Sequence, residues 1–268
     1  MQLLVFGPGY TAGRFAAWAA AAGFAVTTVR SRPAAGVLTL DSAELPAAIS
    51  GATHILSSVP PDADGDDPVL ARFAPLLASA PARWIGYLSS TGVYGDTRGA
   101  WVDEAAPLLG RRSGRLAADQ AWAALHPQSR VFRLPGIYGP GRSALDRLRI
   151  GPVARIDLPG HVFSRIHVDD IVAALAASLE RGGPGVYNLA DAEPAPGEAV
   201  TAFAAQLLGV PVPPLQSLDQ AQLSPMGRAF YGECRRVAAT KMTRDLGVTL
   251  RYPNYRSGLQ ACLGEIPR

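Results

Sequence analysis

An apolar run closed by glycines opens the chain: LLVFGPGYTAG, residues 3–13, followed by a segment rich in alanine. In Gly7-x-Gly9-x-x-Ala12-Gly13 each small residue has a task. Gly7 permits a tight strand-to-helix turn, Gly9 lets the backbone approach a diphosphate, and Ala12 and Gly13 let the helix pack close to the strand. Tyr10 and Thr11 begin that helix, whose free N–H groups and partial positive charge face whatever the turn holds. The motif alone is common. Between a predicted strand and a predicted helix it implies a dinucleotide cofactor.

The end of the second predicted strand reads Arg30-Ser31-Arg32. An NAD site places a carboxylate there for the ribose 2′-OH, whereas two guanidiniums and a hydroxyl suit a 2′-phosphate. NADP(H) is therefore expected ahead of NAD(H), against the plainer reading that both arginines are exposed loop residues. Asp41, after the third strand, is placed near the adenine. Ser57, Ser58 and Val59, after the fourth, are placed along the adenosine side of the groove.

These residues need a scaffold, and the hydrophobic pattern supplies one. Strands are predicted at 2–6, 25–29, 37–40, 54–57, 83–88 and 129–134, with helices near 11–22, 43–49, 68–79 and 114–125. The alternation predicts an α/β fold of the Rossmann type, a doubly wound parallel sheet covered on both faces. Residues 1–141 are expected to form the nucleotide-binding core. Residues 142–268 are expected to return a helix (166–180) and a strand (186–189) to that core, with a helix at 198–208 and a small mixed substrate lobe.

Of 268 residues 48% are hydrophobic and 18% charged, as in a compact α/β protein. The net charge of +3 is spread over scattered arginines without a long run, which argues against nucleic acid as a partner. No apolar stretch approaches the ~20 residues of a membrane span, and no basic segment precedes the first apolar run. A cytoplasmic location is expected. Cys234 and Cys262 read as free thiols, and the four histidines lack a paired metal spacing, so no metal is expected. Asp62, Asp64, Asp66 and Asp67 miss the glycine of a calcium loop and read as a solvated turn.

The segment YLSSTGVYGD, residues 87–96, resembles the active-site strand of extended short-chain dehydrogenases/reductases and nucleotide-sugar epimerases. WVDE (101–104), RLPGIYGPGR (133–142), RIHVDDIV (165–172) and YNLAD (187–191) follow at matching spacing. The resemblance is closest to an atypical subgroup with a GPGY cofactor turn. It implies that Ser90 hydrogen-bonds a substrate oxygen with Thr91 beside it, and that Pro135, Gly136, Ile137 and Tyr138 border the nicotinamide. Asp169 and Asp170 would start a helix near the substrate lobe. A small-molecule substrate of unidentified class and a homodimer are also implied.

The chain departs from that family at its acid–base pair, Tyr-x-x-x-Lys. Its one lysine is Lys241, and the residue four before it is Val237. RRSGRLAADQ, residues 111–120, puts Arg111 at the tyrosine position and Arg115 at the lysine position. A phenol beside a cation exchanges a proton near neutrality; arginine does not. Losing such a group costs about 10²–10⁴ in rate. Arg115 can still bind a ribose, and Arg111 and Arg112 sit at a helix N-terminus where either an anion or solvent offsets their charge. Tyr94, His167 and water are the candidate substitute donors. The reading is an NAD(P)-binding oxidoreductase or epimerase-like enzyme with a non-standard site. The alternatives are a non-catalytic NAD(P)-binding sensor or scaffold, and a module for another anionic nucleotide.

Overall fold

Continuous apolar runs make the centre of the molecule, which a computed structural model describes over residues 1–34 and 36–264. Strand β1 (Gln2–Phe6) is buried from Leu3 onward, as a strand covered on both faces must be. The chain turns through Gly7, at φ 70, into α1 (Tyr10–Ala21). β2 (Ala25–Val29), α2 (Leu45–Gly51), β3 (His54–Ser57), α3 (Pro68–Ala78) and β4 (Trp84–Ser90) continue the alternation. A 3-10 turn at Thr91–Tyr94 and β5 (Trp101–Val102) lead into α4 (Ser113–Leu125) and β6 (Ser129–Leu134). Then come β7 (Gly136–Tyr138), α5 (Ala144–Ile150), β8 (Arg155–Ile156), β9 (Arg165–His167), α6 (Val168–Ala177) and β10 (Gly185–Asn188). The rest is α7 (Gly197–Leu208), β11 (Leu215–Gln216), α8 (Pro225–Phe230), β12 (Arg236–Val237), α9 (Thr240–Leu246) and α10 (Tyr255–Gly264).

Among the described residues six strands form one parallel sheet in the order β10-β6-β4-β3-β1-β2. The strand order reverses between β1 and β3, and a doubly wound sheet binds ligands beyond the carboxyl ends of its strands at that point. Two apolar clusters cover the faces of this sheet. Phe15, Trp84, Phe132 and Ile171 belong to one; Ile49, Leu77, Tyr87 and Trp122 belong to the other. A third, around Leu145, Ala204, Tyr255 and Leu259, ties α5, α7 and α10 into a lobe beside the sheet.

Two local outcomes differ from the sequence pattern. Residues 37–40, expected as a strand, contribute only isolated bridges, Leu38 opposite Val29 and Val37 opposite Ala34. The backbone of Leu38 bonds to Thr28 and Arg30, but the Thr39 N–H turns to the Ser42 hydroxyl, which ends the pairing after one rung. The acidic loop is also not uniformly solvated. Asp62 accepts three backbone N–H bonds within its own turn, while Asp67 is buried. Asp67 caps α3 through the N–H groups of Val69 and Leu70 and accepts the Trp122 indole N–H at 2.7 Å. No helix among the described residues is long and apolar enough to cross a membrane.

Candidate active site

At the carboxyl ends of the strands lies a cleft of about 1030 Å³. One end is the glycine turn. Gly9, Tyr10 and Thr11 line it, and α1 starts there with no side-chain cap and no acid in its first turn, leaving its N–H groups to the cleft. A Cβ on Gly9 would meet only the Gly7 carbonyl oxygen, at 3.9 Å, so the space over this glycine is open. Gly7 is different: at φ +70 a Cβ would press on Val59 Cγ2 at 3.0 Å. Gly7, Ala12, Gly13, Ser57 and Val59 support the turn from behind. Gly7 N–H bonds to Val29, the Ser58 hydroxyl donates to the Gly7 carbonyl, and the Ser57 hydroxyl accepts from Val59 N–H. Ser58 also lines the cleft. The uncapped helix end and the open glycine fit a diphosphate.

Beyond the turn, Ser90, Thr91, Arg115 and the run Pro135–Tyr138 share the same cleft with Arg111. The Ser90 oxygen accepts the Gly92 N–H at 3.1 Å, which leaves its own proton free to donate. Arg115 has no hydrogen-bonding side-chain partner among the described residues. Arg111 is held by Glu233 at 2.7 Å and by the Ala229 carbonyl at 2.9 Å. Its charge at the start of α4 is thus offset by a carboxylate of the chain itself. Arg30, Ser31 and Arg32 lie exposed after β2, outside the cleft lining.

The structure overturns three placements. Tyr94 is fully buried and does not line the cleft; its hydroxyl donates to Asn188 Oδ1 at 2.7 Å and accepts from Arg133 at 3.0 Å. Buried away from the cleft with its hydroxyl engaged, it does not reach a substrate, and burial also raises its pKa. His167 is also buried, stacked edge-on against Tyr138 and capping α6 by accepting the Asp169 N–H. Burial lowers its pKa to about 4, leaving it neutral. Asp41 is exposed and paired with Arg72 at 2.5 Å, away from the cleft.

Among the described residues the lining holds no histidine, cysteine or aspartate. Its tyrosines are raised by burial, Tyr10 to about 12 with its hydroxyl on the Pro140 carbonyl, and Tyr138 with its hydroxyl on the Asn254 carbonyl. Tyr231 is raised likewise. Glu233, though desolvation opposes it, is lowered by hydrogen bonds from Arg235 and Arg111. The remaining charged side chains of the lining are arginines. Arg142, Arg147, Arg165 and Arg235 join Arg111, Arg112 and Arg115 there. None of the first four was expected there: Arg142 and Arg165 stand inside quoted motifs, and nothing local marks Arg147 or Arg235.

Behind the cleft, Asp191 is buried with Oδ1 on the Glu193 N–H and Oδ2 without a partner, and burial lifts its pKa to about 7. A carboxyl whose folded pKa lies above its ordinary value contributes most to stability at low pH and loses that contribution as pH rises through neutrality. Asp191→Asn should therefore gain in melting temperature relative to the native chain between pH 5 and pH 8. A difference in melting temperature that stays constant over that range contradicts the assignment. Among the described residues no cluster of three or more His, Cys, Asp and Glu side chains could hold a metal ion.

No protein-family model matches the chain. A solved structure of a functionally unknown conserved protein from Silicibacter pomeroyi is 45% identical and superposes with a TM-score of 0.89 over 98% of each chain. The structure of a human epimerase family protein, SDR39U1, solved with NADPH, is 21% identical with a TM-score of 0.79, covering 99% of this chain and 100% of the human one. A 3-diazoavenalumate denitrifying reductase from a Streptomyces species is 31% identical over 141 residues, 48% of this chain. That match spans only 45% of the reductase.

Proposed function

We propose that this chain, which is 45% identical to the Silicibacter pomeroyi protein and shares its fold with NAD(P)-dependent proteins of the extended short-chain dehydrogenase/reductase type, is an oxidoreductase or epimerase-like enzyme using NADP(H). The observation that carries this reading is a single cleft joining the uncapped α1 terminus and the open Gly9 to Ser90, Arg115 and Pro135–Tyr138. The α1 N–H groups and Gly9 take the diphosphate. Arg30, Ser31 and Arg32, exposed after β2 with no side-chain partner among the described residues, take the 2′-phosphate. When bound, the nicotinamide supplies or accepts hydride.

Ser90 donates its proton to the reacting substrate oxygen, because its own oxygen is occupied by the Gly92 N–H. Arg115 stands at the position of the family lysine and offers charge and hydrogen bonds to a ribose hydroxyl without exchanging a proton. Arg111, locked on Glu233 and on the Ala229 carbonyl, positions the segment between α8 and β12. With no histidine, cysteine or aspartate lining the cleft among the described residues, the proton comes from water at Ser90. The same observation favours one other reading, a non-catalytic NADP(H) sensor.

NADPH fluorescence titration tests the cofactor. Arg30→Ala and Arg32→Ala should each weaken NADPH by roughly tenfold to a hundredfold, the worth of a charge-assisted hydrogen bond, and leave NADH nearly unchanged. Equal losses for both cofactors would refute the 2′-phosphate site. Turnover then separates enzyme from sensor: NADPH oxidation with any of a panel of aldehydes, ketones and conjugated acids supports the enzyme, and none across the panel supports the sensor.

A further inference from the structure

Among the described residues the cleft lining carries seven arginines and a single carboxylate, Glu233. Glu233 is already shared by Arg111 and Arg235, each at 2.7 Å. At the lobe end Arg147 and Arg165 face the same space, and no carboxylate of the described residues lies within ion-pairing distance of either. Arg165 is fixed: Nη1 donates to the carbonyls of Phe163 and Ala195, both at 2.8 Å, and this orients the rest of the guanidinium. Arg147 is exposed on α5 with no hydrogen-bonding partner among the described residues. Asp191 acts on Arg165 only from beyond contact distance, so both cations still have room for an anion in direct contact.

The walls around these arginines decide which anion. Phe163 and Phe230 stack at 4.5 Å with 11° between their planes, and Tyr231 meets Phe163 edge-on at 5.5 Å. Phe230 is 58% exposed, so an aromatic face is open to the cleft. Among the described residues no asparagine, glutamine, aspartate, histidine or lysine lines it. The lobe end offers the hydroxyls of Ser164, Ser224 and Tyr231, and the two serine oxygens already accept the N–H groups of Val237 and Gly227. A sugar ring would lose its water here and find few partners. A flat apolar ring has no hydroxyls to leave unpaired and gains stacking.

We propose that the lobe end of the cleft binds an aromatic carboxylate, its ring against Phe230 and its carboxylate on Arg165 and Arg147. The proposal rests on the reading above that the other end takes the dinucleotide, and names the substrate class for that site. A guanidinium fork matches a carboxylate in two parallel hydrogen bonds, and Arg165 is held for that purpose by backbone rather than by a competing acid.

Calorimetric titration of cinnamate, cinnamide and UDP-glucose into the protein, with and without saturating NADPH, tests it. Cinnamate should bind with a Kd below about 1 mM. Cinnamide, equal in shape and uncharged, should bind at least roughly tenfold more weakly, and so should UDP-glucose. Arg147→Ala and Phe230→Ala, both at exposed positions, should weaken cinnamate about tenfold while leaving the Kd for NADPH unchanged. Arg165→Lys keeps the charge and loses the fork, and should weaken cinnamate similarly. Equal binding of acid and amide overturns the proposal, as does tighter binding of UDP-glucose or indifference of cinnamate to Arg147→Ala and Phe230→Ala. Because the pocket is built from the chain's own side chains, cinnamate binding without NADPH binding upholds the acid site and rejects only the cofactor reading.

Discussion

Gly9→Val should leave the protein folded with a near-native melting temperature and reduce NADPH affinity by about a hundredfold or more. Gly7 and Gly9, two positions apart, differ in what a side chain would meet. Gly9 has ordinary extended backbone, φ −79 and ψ −157, and a Cβ there meets nothing closer than 3.9 Å. A side chain at this position therefore costs the fold little, and occupies the space over the α1 terminus that a diphosphate needs. Gly7 offers the control. At φ +70, with Val59 3.0 Å from a Cβ, Gly7→Ala should destabilise by roughly 1–2 kcal/mol from backbone strain. Paired thermal melts and NADPH titrations measure both. A Gly9→Val protein that binds NADPH like the native chain would mean that no diphosphate crosses this turn.

Arg133→Met and Asp119→Leu should each destabilise the protein by about 3–5 kcal/mol, a large share of the ~5–15 kcal/mol of a typical domain. Arg133 donates from Nε and Nη2 to both oxygens of Asp119, at 3.0 and 2.6 Å, and both side chains are buried. The chain of bonds continues on either side. Ser89 donates to Asp119 at 2.6 Å, Arg133 donates to Tyr94, Tyr94 donates to Asn188, and the Asn188 N–H is held by Glu104. Removing one ion strands the other without water. The double variant should recover most of the loss, since a buried pair replaced by apolar side chains is often nearly neutral. Urea denaturation gives all three values; single-variant losses below about 1 kcal/mol would show that the pair is not desolvated. The network also has a functional consequence. It clamps the ends of β4, α4, β6 and β10, and so sets where Ser90, Arg115 and Pro135 enter the cleft.

Much of this was legible in the residue order. QLLVF followed by Gly7-x-Gly9 specifies a buried strand and a turn that a β-carbon would strain, and β1, Gly7 and α1 form as that pattern requires. The alternation over the first half likewise predicted a parallel doubly wound sheet, and the sheet is there. The stretch 37–40 was misjudged because its apolar residues look like a strand, while the turn that terminates it depends on one hydroxyl, Ser42. Tyr94 and His167 were misjudged for a related reason. Chemistry-capable side chains in motifs near an active site were expected to face it, but the sequence does not state which side of a strand end or turn is filled by the core.

Residue order by itself determined the properties that neighbouring residues fix between them: strand and helix periods, the φ of the first turn, and the absence of a tyrosine–lysine pair around the lone Lys241. Tertiary structure alone decided which side chains converge. Arginines from α4, α5, β9 and the segment before β12 meet in one cleft although they are separated by up to 124 positions, from Arg111 to Arg235. Glu233 neutralises two of them, and Tyr94 and His167 withdraw into the core. The physical reason is that backbone conformation responds to local sterics and hydrogen bonding, whereas charge, burial and proton affinity respond to whatever distant segments the packing brings within a few ångströms.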